Sequence, residues 1–112
     1  MTEPNLWQES FSTEIGQAEA ARAAGNEGKA RVCARRAAGI VIRVYLAGRG
    51  VRAKTPSAYD MLRHLEALED VPEEIREKAG DFLVKVDENY HLPVEADLIA
   101  EARWLAARLM GG

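Results

Sequence analysis

Two stretches of this chain place apolar residues at i, i+4, i+7 and i+11: Ile75, Ala79, Phe82 and Val86, and again Leu98, Ala102, Leu105 and Leu109. A helix of 3.6 residues per turn gathers such positions into one stripe, whereas a strand would scatter them over both faces. The same period runs through the rest of the chain. No alternating strand pattern interrupts it, and the β-branched residues fall mostly inside the helical stripes. The expected fold class is therefore all-α.

Five helices are expected. The first spans about Pro4 to Ala24, with proline at its start, Trp7, Phe11, Ile15 and Ala18 as its apolar stripe, and Gly25 as its stop. The second begins at the N-cap candidate Asn26 and runs to about Ala47, ending at Gly48. A glycine-marked loop to Thr55 leads to a short third helix over about Pro56 to Glu69. There Ser57 and Asp60 have capping-box spacing, and Met61, Leu62, Leu65 and Leu68 form the apolar face. Asp70, Pro72 and Glu73 mark the start of a fourth helix that reaches about Val86. A polar connector, Asp87 to Pro93, precedes a fifth helix from about Val94 to Met110. Short connectors make neighbouring long helices antiparallel. The expected architecture is an up-down four-helix bundle with one short extra helix, a single domain over 1–112 with a frayed tail at 111–112. A chain of 112 residues buries roughly 65% of its unfolded surface, enough for a core without staples.

Composition narrows the function classes. A single cysteine, Cys33, excludes an internal disulfide and fits a reducing cytoplasm. The N-terminus lacks the basic start and apolar run of a signal peptide, and charges break every apolar stretch before it could span a bilayer. Net charge is −3, against a general nucleic-acid binder, yet the charges are segregated. From Gly28 to Tyr59 there is no Asp or Glu, while Lys29, Arg31, Arg35, Arg36, Arg43, Arg49, Arg52 and Lys54 fall there. From Glu66 to Glu101 acidic residues dominate.

The second helix concentrates this asymmetry. At about 100° per residue, Ala30, Cys33, Ala34, Ala37, Val41 and Val44 face the core. Lys29, Arg36 and Arg43 lie on one flank, and Arg31, Arg35 and Arg49 on the other. Val32, Gly39 and Leu46 stand opposite the core at heptad spacing. A mid-helix glycine costs about 1 kcal/mol unless close packing compensates. That outer seam is expected to receive another helix, most simply from a second copy; the competing reading covers it internally, with the third helix or the N-terminal segment. The basic flanks also have two readings. Arg31, Arg35, Arg36 and Arg43 either bind phosphate or an acidic partner, or form a solvated face bridged to the acidic fourth helix.

Catalytic signatures are thin. His64 reads as a surface or boundary residue and Cys33 as a small core residue. No Cys/His set has metal-ligand spacing, so neither metal nor cofactor is expected. Gly48-Arg49-Gly50 is too short for a phosphate loop and follows a helix. The connector Asp87-Glu88-Asn89-Tyr90-His91-Leu92-Pro93 gathers carboxylates, an amide, a phenol and an imidazole; read plainly, it is a polar turn whose Tyr90 and Leu92 anchor helix packing.

The order of these features resembles the HEPN family of small helical-bundle domains. The likeness rests on the Trp7-bearing first helix ending in Gln17 to Gly25, the alanine-rich stretch Gly28 to Gly39, the short third helix, and the tyrosine-containing connector before a last helix with Ala96, Asp97, Ala102 and Arg103. These are features of helix order and small residues, spread over the whole chain. The resemblance implies a homodimer acting on nucleic acid or nucleotides, with a nucleotidyltransferase as a possible protein partner. Many members are metal-independent ribonucleases that use an arginine followed, after four to six intervening residues, by a histidine. Here no arginine precedes His64 or His91 at that spacing; Lys85 is the nearest equivalent, and it lacks the planar fork of arginine. The connector retains only the tyrosine and proline of the Arg-Tyr-Pro run found in another branch. The expectation is a non-catalytic binding module. The alternatives are a degenerate ribonuclease using Lys85, Tyr90 and His91, and a purely structural assembly protein.

Overall fold

The computed structural model describes residues 6–51, 57–83 and 97–110, and all regular structure among them is helical. The elements are α1 (Leu6–Ala23), α2 (Glu27–Gly48), α3 (Ala58–Glu66), α4 (Glu73–Leu83) and α5 (Leu98–Leu109). The expected ends near Val86 and Val94 lie outside the described residues. No helix of these is long and apolar enough to cross a membrane.

The helix boundaries follow local chemistry. Gly25 takes φ +81°, a left-handed conformation that halts α1, and its neighbour Asn26 starts α2 by accepting the Lys29 N–H at 3.1 Å. Ser57 caps α3 through the Asp60 N–H, and Asp97 caps α5 through the Ala100 N–H. The Pro72 carbonyl accepts from Ile75 and Arg76 to launch α4, while Asp70, expected at that start, pairs with Arg49. Removing the α2 cap by Asn26→Ala should lower stability by about 1 kcal/mol, read as a lower denaturation midpoint at unchanged m.

Helix α2 is the hub. It packs on α1, α3 and α5, while α4 packs on α3 and α5. A helix with three neighbours must bury a wider arc than a helix with one. Besides Ala30, Cys33, Ala34, Ala37 and Val41, the arc takes in Ala38, Gly39, Ile42 and Leu46, whereas Val44, expected on the core face, is half-buried. The stripes of the other helices meet this arc. Ile15 and Ala18 come from α1, Met61, Leu62 and Leu65 from α3, Ile75, Ala79 and Phe82 from α4, and Leu98, Ile99, Ala102, Leu105 and Leu109 from α5. Among the described residues, no polar or charged residue lies fully within this core.

The wide arc corrects the outer seam. Leu46 is 1% exposed and belongs to the core. Gly39 is buried against the start of α3: a Cβ built there would meet Ala58 Cβ at 2.8 Å and Ala58 Cα at 2.9 Å. Only Val32 faces outward, at 43% exposure. The glycine is indeed a close-packing residue, but its partner is α3 of the same chain.

Candidate anion-binding site

The four arginines expected to act together are divided by the fold. Arg35 is half-buried and its Nε donates to the Phe82 carbonyl at 3.0 Å, near the end of α4. The bond ties α2 to the C-terminal part of the described α4. This bond to α4 is made to backbone, not to one of the α4 carboxylates. Arg31 is half-buried near the N-terminus of α2.

Arg36 and Arg43 lie elsewhere. Seven residues apart on α2, they are two turns, or about 10 Å, from each other along the axis and on one face. Both are exposed. Together they line a cavity of about 400 Å³ whose other walls are Glu14 of α1, Gly39 and Ile40 of α2, and Ser57 and Ala58 at the start of α3. Gly39 lets the start of α3 approach α2 closely, and Ser57 and Ala58 there form part of the cavity wall. The first turn of α3 brings the positive end of its dipole to the same wall. Glu14 is the opposing charge, and its Oε1 is buried without a hydrogen-bond partner.

Most other arginines are committed. Arg22 bridges Glu27 at 2.9 Å and Asp97 at 3.0 Å, tying the end of α1 to the starts of α2 and α5. Arg49 pairs with Asp70 and lies against the Tyr45 ring, so the carboxyl of Asp70 is held below its ordinary range. Arg103 pairs with Glu19 at 2.9 Å and Arg108 with Glu74 at 2.8 Å. Among the described residues, Arg36 and Arg43 make no ion pair.

The remaining sequence candidates fall outside this cavity. Lys85, Tyr90 and His91 lie outside the described residues. His64 is exposed on α3. Cys33 is 1% exposed in the core, its Sγ 4.0 Å from Gln17 Oε1. Among the described residues no three His, Cys, Asp or Glu side chains converge as a metal site would require.

One cluster escaped the sequence. Glu101 of α5 meets Lys78 and Asp81 of α4 beside Trp104, whose ring lies 4.9 Å from the Arg108 guanidinium and 6.0 Å from Lys78 Nζ. The only hint in the chain is Lys78 and Asp81 at one-turn spacing. Nothing in the sequence alone sets the register of α4 on α5 that brings Glu101 to them.

No family model matches the chain, and comparison with curated proteins and with solved structures likewise finds no match.

Proposed function

We propose that the protein is a non-catalytic, HEPN-like binding module, an up-down four-helix bundle with one short extra helix, that takes the phosphate of a nucleotide or RNA on the outer face of α2. The observation that carries this reading is the Arg36–Arg43 pair: two exposed guanidiniums on one helix face, flanking a cavity, with no carboxylate joined to either among the described residues. Guanidinium groups recognise phosphate through paired N–H donors, and α3 adds a helix N-terminus to the same space. The cavity volume falls within the range that small-molecule ligands fill. Arg35 is committed to α4 instead, through its bond to the Phe82 carbonyl. The reading does not need Val32, Gly39 and Leu46 as a contact between two copies.

Binding of a short fluorescent RNA and of inorganic triphosphate, followed by anisotropy and calorimetry at two salt concentrations, tests it. Affinity should fall steeply with salt. The double variant Arg36→Ala/Arg43→Ala should lose affinity on the order of 100-fold and flatten the salt slope by about 2. The RNA should remain intact throughout. Salt-insensitive binding, or a double variant that binds as the native chain does, rejects the site.

A further inference from the structure

Glu101 sits where α4 crosses α5, with its side chain only 12% exposed. Its Oε1 accepts from Lys78 Nζ at 3.2 Å, and its Oε2 is buried with no hydrogen-bond partner. Asp81, one turn beyond Lys78 on α4, acts on the same carboxyl as a like-charged neighbour that raises its pKa. Two carboxyl groups and one ammonium therefore share this contact. If both carboxyls are ionised, a negative charge is left over in a poorly solvated space and an oxygen lacks a donor. If Glu101 holds a proton, its hydroxyl can donate to Asp81 while its other oxygen accepts from Lys78, which completes the network.

The neighbouring charged groups are occupied with one another. From α4, Glu74 lines the same cavity of about 290 Å³ with Lys78, Ala100, Glu101 and Trp104, but it is held by Arg108 at 2.8 Å. From α1, Glu19 and Arg22 are joined to Arg103 and Asp97. From α2, Arg35 is bonded to the carbonyl of Phe82, beside Asp81.

We propose that Glu101, Asp81 and Lys78 form a proton-operated latch between α4 and α5, closed when Glu101 is protonated and loosened when it ionises. Burial, reinforced by Asp81 and opposed by Lys78, pushes Glu101 up to about 7, which places the transition near neutral pH. The folded chain then holds this proton more tightly than the unfolded chain, whose glutamate titrates near 4.5. The latch's contribution is complete below that lower value and disappears as pH rises through the upper one.

The test is a carboxyl-carbon NMR titration of the full chain, with urea unfolding and amide exchange at pH 5 and pH 8. A Glu101 midpoint near 7 is expected. The unfolding constant should rise on the order of 100-fold between the two pH values, less where solvent screens the cluster. Amides of α4 and α5 should lose protection at pH 8 after correction for intrinsic exchange. Glu101→Gln keeps the shape, cannot ionise and should remove most of this pH dependence. Asp81→Asn, at a half-buried position, should lower the Glu101 midpoint. A midpoint in the ordinary carboxylate range below about 5, or a Glu101→Gln profile that matches the native one, overturns the latch.

Discussion

Leu46→Asp should leave no folded protein at 25 °C, while Val32→Asp should melt within a few degrees of the native chain. The two residues are fourteen apart on one helix, so a heptad count assigns them the same environment. Their packing differs. Leu46 is 1% exposed within the shared core, and Val32 is 43% exposed. Truncating a buried leucine to alanine already costs about 2–5 kcal/mol. An aspartate adds either a buried charge or the work of keeping it protonated, several kcal/mol more. The sum is comparable with the whole stability of a small domain, about 5–15 kcal/mol. At Val32 a charge meets water, and surface changes of that kind usually stay within about 0.5 kcal/mol. Circular dichroism melts with light scattering read both outcomes. If Val32 and Leu46 shared a seam between two copies, both variants would instead yield folded monomers, and the core assignment of Leu46 would fail.

That contrast shows where sequence reading succeeds and where it stops. Residues governed by local chemistry were legible. The caps at Asn26 and Ser57, the stop at Gly25 and the stripes Ile75–Ala79–Phe82 and Leu98–Ala102–Leu105–Leu109 depend on neighbours within a few turns. The width of the buried arc on α2 was not, because it depends on how many helices surround α2. With one neighbour, Leu46 would be outside; with α1, α3 and α5 all packed on it, Leu46 is inside. The arginines divide for the same reason. Arg35 and Arg36 are adjacent in sequence, yet one side chain bonds the end of α4 and the other faces the cavity beside α3. The Glu101 cluster needs the register of two helices joined through residues 84–96, which no pattern within either helix specifies.

Gly39→Leu should destabilise the protein by about 3 kcal/mol, and Gly39→Ala by about 1 kcal/mol, although helix propensity alone favours both substitutions. Alanine in a helix interior is worth about 1 kcal/mol over glycine. Against that gain stands the seat of α3, where the Ala58 Cβ and Cα lie 2.8 and 2.9 Å from where the new Cβ would fall. The obstructing Cα is backbone and cannot rotate away, so α3 itself must move. Overpacking of this kind costs about 1–3 kcal/mol, more than the propensity gain even for a single methyl. Leucine needs still more room and would displace the α3 start, and with it Ser57 and Ala58, from the cavity wall that Arg36 and Arg43 share. Urea unfolding measures the stability term, and triphosphate binding under conditions where the variant remains folded measures the displacement. A Gly39→Ala protein more stable than native would show that α3 does not bear on α2 at this point. A folded Gly39→Leu protein with native triphosphate affinity would show that the seat of α3 does not shape the site.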